Sequence, residues 1–334
     1  MRPRLISTLI AFSVPRAGPA LLLACALFAL PASARGVRFF EGSFEEALAE
    51  AKAQKKNLVV EVYATWCGPC KQQNAEVFDT DDGLALTRNL VAWRIDYDAE
   101  SSRPLIERWA ILSLPTVLFL RPDGSEIDRI EGYDDKAAFL KLAEARAQGF
   151  DPLPELEKKL ASLEDKRTLR ERLSVMVEVG HRSLVRGDVR RGLSLLDGAA
   201  VLDADGRLGV AEDALFLMGR YHSRVKRDFG TARNIWRELY TRFPEGKYAT
   251  TAAWWYAGAL HELQEDALAV DVLERRARGR AKDVEALDLL VSYAEAHGAG
   301  HAEAKERLER AKGKVPEPAR QELLARLQKA KKAR

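Results

Sequence analysis

The chain has 334 residues, of which 47% are hydrophobic and 31% are charged, a balance typical of a folded globular protein with more than one domain. Its 53 basic and 50 acidic residues leave a net charge of +3, and three arginines near the N-terminus account for this excess. Because no basic stripe with interleaved aromatic residues is present, the sequence argues against a nucleic-acid partner.

The first 34 residues have the organisation of a secretory signal peptide. Arginines precede an apolar run at 20–30, and alanines at 32 and 34 form an Ala-x-Ala cleavage site. We expect cleavage after Ala34 and a periplasmic or otherwise extracytoplasmic location. An uncleaved anchor is less favoured because the apolar run is short for a membrane span. Lipidation at Cys25 is also less favoured, since hydrophobic residues continue past it.

The first predicted elements surround the chemically important part of the chain. Ser43, followed three residues later by Glu46, predicts a capping box and a helix that continues to about Gln54. The apolar, β-branched run Leu58–Tyr63 predicts a strand, and residues 71–78, which contain neither Gly nor Pro, predict a helix.

Between this strand and this helix lies the run Trp66-Cys67-Gly68-Pro69-Cys70. The chain has three cysteines, and the two in this run are those that would remain after cleavage of the signal peptide. A sulfur at a helix N-terminus faces unpaired backbone N–H groups, which stabilise the thiolate over the thiol. We therefore expect Cys67 to be the nucleophile and Cys70, one turn inside the helix, to be the resolving thiol. Pro69 suits the first helical turn.

A structural disulfide and a zinc site are both less favoured roles for the cysteine pair. A purely structural disulfide would close a very short loop and would remove little chain entropy from the unfolded state. A zinc site needs four ligands, yet all five histidines lie more than a hundred residues downstream and no second cysteine pair exists. We expect no metal, and no cofactor beyond a redox-active Cys67–Cys70 disulfide.

Residues Val37 to Gln148 resemble a thioredoxin domain and, within that superfamily, the periplasmic branch that includes the C-terminal domain of the reductase DsbD. The resemblance implies an α/β thioredoxin fold, with a mixed central sheet covered by helices on both faces. It covers about a third of the chain. The matching segments are 61–71, 76–79, 94–98 and 113–119.

The resemblance also implies roles for residues near the cysteines. Pro115 is expected to be the cis-proline that packs beside the disulfide, and the backbone of Leu114 is expected to pair with an extended substrate segment. Trp66, Gly68 and Pro69 are expected to contact the substrate. Without the cysteine pair, Pro115 would be interpreted as a simple strand-start residue.

Three positions depart from the thioredoxin pattern. Glu61 stands where the family has a buried Asp, and burial would raise its pKa and suit it to accept a proton from Cys70. Glu61 is alternatively an exposed strand residue, because it lies in a Val-Glu-Val alternation. Ala92 replaces a lysine and Ala75 replaces the proline that kinks the active-site helix, so proton handling is expected to differ.

The rest of this domain is predicted to follow the thioredoxin order. The expected elements are a strand at 91–96, a helix at 102–109, a hairpin of strands 116–121 and 126–130, and a helix at 134–147.

The remaining half of the chain is predicted to be all-helical. We expect a thioredoxin-like domain at 35–148, a linker at 149–155 and an α-helical domain at 156–334, in which strand signals vanish and apolar residues recur at helical spacing.

A weak internal period in this half predicts stacked helical hairpins similar to tetratricopeptide repeats. Small residues near predicted helix starts are separated by 40, 35 and 35 residues; they are Gly192, Ala232, Ala267 and Ala302. An ordinary helical bundle is the alternative. The aromatic residues Trp236, Trp254, Trp255 and Tyr256 are expected to lie in the core, with a concave groove as the alternative. Residues 297–301 are expected to join two helices, and the tail from Lys312 to be a charged helix.

Together these features predict an extracytoplasmic thiol-disulfide oxidoreductase. The Gly-Pro dipeptide between the cysteines resembles that of reducing thioredoxins, which favours a protein-disulfide reductase. We expect a disulfide-containing client protein and a membrane electron donor, with the helical domain recruiting the client or partner. The alternative function is an envelope adaptor or holdase whose thioredoxin unit mainly binds extended segments.

Overall fold

A computed structural model describes residues 36–163, 168–278 and 284–332. The predicted signal peptide and Cys25 lie outside these ranges. Within them, no helix combines the length and apolar composition needed to cross a membrane.

A four-stranded mixed sheet with strand order β2-β1-β3-β4 organises the N-terminal part, and it confirms the predicted thioredoxin fold. β1 pairs in parallel with β2 and antiparallel with β3, and β3 and β4 form an antiparallel hairpin. The strands are β1 (Asn57–Tyr63), β2 (Leu90–Asp96), β3 (Thr116–Leu120) and β4 (Glu126–Glu131). The helices are α1 (Phe44–Gln54), α2 (Gly68–Gln73), α3 (Asp81–Thr87), α4 (Arg103–Arg108) and α5 (Lys136–Ala147).

The sheet separates two apolar clusters, because alternate side chains of each strand point to opposite faces. Leu58, Val60 and Val62 of β1 lie in one cluster with α1 and α4. Val59 lies in the other with α5. The predicted capping box at the start of α1 is confirmed, since the Ser43 side chain and Glu46 each accept a hydrogen bond from the other's backbone.

The active-site helix differs from the continuous helix predicted at 71–78. α2 ends at Gln73, and a single π-helical turn follows at Asn74–Phe78, in which the Asp79 N–H donates to the Asn74 carbonyl at 2.8 Å. Such a turn widens a helix and changes its direction. It includes Ala75, which stands where the thioredoxin pattern has a kinking proline. The short helix α3 was not predicted.

From residue 153 onward every described regular element is a helix, as predicted. The helices are α6 (Leu153–Ser162), α7 (Leu169–Val185), α8 (Val189–Leu202), α9 (Ala211–Arg220), α10 (Phe229–Arg242), α11 (Ala249–Glu262), α12 (Asp266–Arg278), α13 (Val284–His297), α14 (His301–Arg310) and α15 (Glu317–Lys332). A π-helical turn at Tyr221–Lys226 extends α9.

The four small residues lie near helix starts, as predicted, but only two of them are buried. Gly192 and Ala232 are buried as the fourth residues of α8 and α10. Ala267 and Ala302, however, are exposed. The buried fourth residues of α12 and α14 are instead Ala269 and Ala304, which lie in the core. In α12 and α14, the buried small residue therefore lies two positions after the one in the sequence period, on the other side of the helix.

The structure also shows the burial of the aromatic residues and the position of the C-terminal tail. Trp236 is fully buried, whereas Trp254, Trp255 and Tyr256 are half-buried. The predicted connection at 297–301 is a short loop between α13 and α14. The C-terminal helix begins at Glu317 and places Leu323 and Leu327 in the core, so this charged helix is amphipathic and packed.

The sheet and the helices share buried surface. Ala110 and Leu112, just before the Ser113–Pro115 segment, belong to the apolar cluster of α7–α11. From β4, the Arg129 guanidinium donates to the carbonyls of Ala110 and Val185, each at 3.4 Å. The helices therefore pack directly on the segment that leads into the predicted substrate-binding loop.

Candidate active site

Cys67 and Cys70 form a disulfide with an S–S distance of 2.00 Å. Cys67 is the N-cap of α2, and its Sγ accepts a hydrogen bond from the backbone N–H of Cys70 at 3.2 Å. Both side chains are buried, with 3% and 1% of their surface exposed. After reduction, the same N–H donor and the helix N-terminus would stabilise a thiolate at Cys67, as the sequence predicts.

An accessible rim borders the buried disulfide. Trp66 is 61% exposed, and Gly68 and Pro69 are exposed beside it. The Trp66 indole Nε1 donates to Oδ2 of Asp98 at 2.5 Å, which fixes the orientation of the ring. The three residues that were predicted to contact substrate therefore lie on the surface that an approaching polypeptide would meet.

The Leu114–Pro115 peptide bond is cis, as the resemblance implied. Pro115 is buried directly before β3, while Leu114 is half-buried and packs against the apolar cluster that holds both cysteines. Tyr63 and Tyr97 complete this packing. The structure thus brings the predicted cis-proline segment and the cysteine pair into one site.

Glu61 is buried in the centre of β1, with 1% of its surface exposed, which excludes the alternative of an exposed strand residue. Neither of its carboxylate oxygens has a hydrogen-bond partner among the described residues. Burial raises the pKa of Glu61 to about 7; Asp79 also raises it, whereas Arg94 and Asn74 oppose the shift. A carboxyl group with a pKa near neutrality is suited to exchange protons at physiological pH.

The two replaced family positions have different surroundings. Ala92 is buried in the apolar cluster beneath α5, where it leaves no cation near Glu61 from that position. Ala75 lies in the π-helical turn, next to Asn74, whose side chain faces Glu61. The nearest positive charge that acts on Glu61 is instead that of Arg94, its β2 partner in the strand register.

Gln73 was not among the predicted site residues. It is fully buried, and neither atom of its amide has a partner among the described residues. Because it lies three residues after Cys70, it is on the same face of α2, and this spacing is the signal that could have identified it.

Helical residues also lie near this site, which no sequence pattern indicated. The Arg224 guanidinium stands over the ring of Tyr97, 5.3 Å from its centroid. Nε2 of His181 in α7 lies 3.1 Å from the carboxylate of Glu131 in β4. Burial alone would raise the pKa of Glu131, but His181, Arg129 and Arg220 outweigh it and lower the pKa to about 2.

The described ranges contain no group of three or more His, Cys, Asp or Glu side chains arranged to hold a metal ion. The reactive groups that the site offers are the two sulfurs and the carboxyl group of Glu61. These groups suit thiol-disulfide exchange coupled to proton transfer.

Comparison with known proteins gives the same assignment for the N-terminal part. Residues 44–147 match a family model described as a thioredoxin-like domain. The thiol:disulfide interchange protein DsbD of Pseudoalteromonas atlantica is 35% identical over 100 residues, which are 29% of this chain and 17% of that protein. DsbD 2 of Pseudomonas aeruginosa is 31% identical over 100 residues, with the same coverage. The match thus spans about a sixth of the length of these relatives.

Solved structures cover the same region. A putative disulphide-isomerase from Bacteroides thetaiotaomicron has 32% sequence identity, covering 34% of this chain and 95% of its own, with a TM-score of 0.31. The oxidised C-terminal domain of DsbD from Neisseria meningitidis has 19% identity, covering 30% and 89%, with a TM-score of 0.27. On its sequence match and its fold, the segment at 44–147 is a thioredoxin-like domain with a disulfide in its Cys-Gly-Pro-Cys motif, and it is similar to part of the DsbD proteins.

Proposed function

We propose that this protein is an extracytoplasmic thiol-disulfide oxidoreductase that reduces disulfides in client polypeptides. The observation that carries this proposal is the Cys67–Cys70 disulfide, which lies at a helix N-terminus beside an exposed rim and the cis-proline segment. The similarity to proteins named thiol:disulfide interchange protein supports the same activity.

The reaction consists of two exchange steps. In the reduced protein, the Cys67 thiolate attacks one sulfur of the client disulfide, forms a mixed disulfide and releases the other client sulfur as a thiolate. The Cys70 thiolate then attacks Sγ of Cys67, which restores the protein disulfide and releases the second client thiolate. Two electrons pass to the client, and a dithiol donor must then reduce the pair again. We propose a membrane protein as this donor.

Residues around the sulfurs support these steps. The backbone of Leu114 offers a strand edge to an extended client segment, and the rim formed by Trp66, Gly68 and Pro69 contacts the client. Glu61 accepts the proton of the Cys70 thiol, because its raised pKa keeps a fraction of it ready for proton transfer near neutral pH.

We propose that the helical part recruits the client or a partner protein. The domain division that we propose places the thioredoxin-like domain at 35–148, a linker at 149–155 and the helical domain at 156–334, with pairs of helices stacked in the manner of tetratricopeptide repeats. Direct packing of these helices next to the segment before Pro115 supports a shared role in client binding. The extracytoplasmic location rests on the predicted signal peptide with cleavage after Ala34.

Trapping of the mixed disulfide tests the proposed activity. A Cys70→Ser variant should accumulate a covalent complex with a disulfide-containing protein that dithiothreitol dissolves, because the resolving sulfur is missing. The matched Cys67→Ser variant should form no such complex, since the attacking sulfur is absent and Cys70 is buried. Non-reducing electrophoresis and mass spectrometry would identify the bond.

The reduction potential of the pair then decides the direction. A value near about −270 mV would support a reductase, whereas a value near about −120 mV would contradict it and would make the protein an oxidant. If a Cys67→Ser/Cys70→Ser variant still restored the phenotype of a deletion strain, the adaptor or holdase function would replace the reductase function.

A further inference from the structure

Two arginines of the helical part, Arg220 and Arg224, form a pair of cations beside the candidate active site. Arg220 is the last residue of α9, and Arg224 lies in the π-helical turn that follows it. Their guanidinium groups stand over the same indole ring, that of Trp255, at 4.8 and 5.2 Å from its centroid. Arg220 also stands over Phe216 at 5.0 Å. The rings of Trp255 and Phe216 thus hold the two guanidinium groups close together.

Neither guanidinium forms a direct ion pair with a residue that the structure describes. Arg220 and Arg224 form no ion pair or side-chain hydrogen bond within the described ranges, and the buried Nε of Arg220 and Nη1 of Arg224 lack acceptors. In contrast, the buried Arg129 and Arg307 form ion pairs with Glu126 and Glu274. Burying an unpaired charge is costly, and two adjacent like charges increase that cost.

The electrostatic environment of the two guanidinium groups would favour a bound anion. Burial and the positive charge of Arg224 together lower the pKa of Arg220 to about 9, and Glu131 and two tyrosines only partly oppose the shift. Burial likewise lowers the pKa of Arg224, and Tyr97, Asp98 and Glu131 oppose this shift without reversing it. The carboxylate of Glu131 contacts His181 at 3.1 Å and Arg129 at 3.7 Å, and it forms no ion pair with Arg220 or Arg224.

A contact with the thioredoxin part places Arg224 one side chain away from the cluster that holds the disulfide. Arg224 stands over Tyr97, and Tyr97 packs against the apolar cluster of Cys67 and Cys70. The next residue, Asp98, holds the exposed ring of Trp66. Both arginines are half-buried, so solvent reaches them in part. A client held with its disulfide at Cys67 would therefore extend towards these two cations.

We propose that Arg220 and Arg224 form a subsite that binds an acidic side chain of the client polypeptide, close to the disulfide that Cys67 attacks. Guanidinium groups match carboxylates well because their planar N–H donors form bidentate hydrogen bonds. The subsite rests on the proposed function, since it needs a client disulfide at Cys67. It would give the enzyme a preference for disulfides that have acidic neighbours.

Single-turnover reduction of three peptides tests the subsite with the purified, reduced protein. The peptides share one intramolecular disulfide and differ only in two flanking residues, which are Glu, Gln or Lys. The acidic peptide should react about tenfold faster than the neutral one at low salt, and the difference should shrink as salt is added. Changing the charge on the peptide leaves the protein unaltered, so this comparison does not depend on the folding of a variant.

Matched variants assign the preference to the arginine pair. Arg220→Gln/Arg224→Gln should reduce the acidic and neutral peptides within about twofold of each other, because the cations are gone. The control Arg190→Gln/Arg237→Gln removes the same charge from exposed positions on α8 and α10 and should retain the preference. The reduction potential of the cysteine pair should not change in either variant.

The outcomes separate this inference from the proposed function. Equal rates for acidic and neutral peptides in the unaltered protein would overturn the subsite and leave the reductase function intact. If no peptide were reduced, the proposed function would fail, and calorimetry with a cysteine-free acidic peptide and the oxidised protein would decide the subsite by itself. Equally tight binding of glutarate would assign the pair to a free small carboxylate and would also overturn the inference.

Discussion

Among single residues, Glu61 is the one whose environment is most informative. Buried carboxyl groups are normally hydrogen-bonded, yet among the described residues only the Asn74 side chain faces the Glu61 carboxyl, and neither oxygen accepts a hydrogen bond of standard geometry. The proposed proton exchange with Cys70 would account for a buried carboxyl group at this position. The same environment makes a prediction about stability that does not depend on catalysis.

We expect the free energy of unfolding of the Glu61→Gln variant to rise relative to that of the unaltered protein as the pH increases. Between pH 4.5 and about 7 the Glu61 carboxyl is ionised in the unfolded chain but protonated in the folded one. The free energy of unfolding of the unaltered protein therefore falls as the pH rises through this interval. The loss amounts to something on the order of 3 kcal/mol. Urea unfolding of the oxidised proteins at pH 4 and pH 8 would measure the difference.

Glu144→Gln, at an exposed position on α5, is the control and should follow the unaltered protein at both pH values. If Glu61→Gln showed the same pH dependence as the unaltered protein, the raised pKa would be wrong.

The same variant should also resolve the mixed disulfide more slowly, by a factor on the order of a hundred if Glu61 is a general base for Cys70.

Between secondary-structure elements, the contact of α7 with α8 depends on the absence of a side chain. A Cβ at Gly192 would lie 2.6 Å from the backbone N and 2.7 Å from the Cα of Leu184. These are backbone atoms, so the two helices could accommodate the added carbon only by moving apart. The close approach explains why a glycine is kept inside α8 despite its low helix propensity.

Gly192→Ala is therefore expected to destabilise the protein by about 1–3 kcal/mol, because overpacking outweighs the gain in helix propensity. Gly258→Ala in α11 is the matched control. No atom lies within 4 Å of the Cβ that it would add, so it should be neutral or stabilising by up to about 1 kcal/mol. Denaturant unfolding followed by circular dichroism would compare the two, and equal effects would contradict the role assigned to close helix packing.

Across the complete protein, buried ion pairs connect the sheet to the helices. Asp128 of β4 pairs with Arg146 of α5 at 2.8 Å and with Arg182 of α7 at 3.3 Å. Arg186, which follows α7, donates to the carbonyl of Ile127 at 2.6 Å. Because these groups satisfy one another across the junction, separation of the two parts would leave several buried charges without partners.

We expect Arg129→Met to lower the free energy of unfolding by about 3–5 kcal/mol, because it leaves the largely buried side chain of Glu126 without its cation and removes one partner of Glu131. The exposed pair formed by Arg103 with Glu107 offers a control, and Arg103→Met should cost less than about 1 kcal/mol. Urea titration followed by both helical circular dichroism and tryptophan fluorescence would show a single transition. Loss of coincidence, with the helical signal unchanged, would mean that the two parts unfold independently.

Much of this structure could be predicted because it depends on local pattern. The capping box at Ser43, the strands of the mixed sheet and the helical second half each follow from residues close together in sequence. The π-helical turn after α2 could not be predicted in this way, since its residues carry no helix-breaking sequence signal. The predicted period located Ala267 and Ala302 near helix starts, but both side chains are exposed, because composition does not reveal which helical face is buried.

Residue spacing was sufficient to specify the chemistry, since Cys67 and Cys70 at a strand-to-helix junction form a redox pair through local geometry. The burial of Glu61 could be known only from the complete fold, because it depends on which elements cover a strand. The same holds for Arg220 and Arg224, which lie beside a disulfide about 150 residues away in sequence. Contacts between such distant segments arise when the complete chain packs, and no local pattern encodes them.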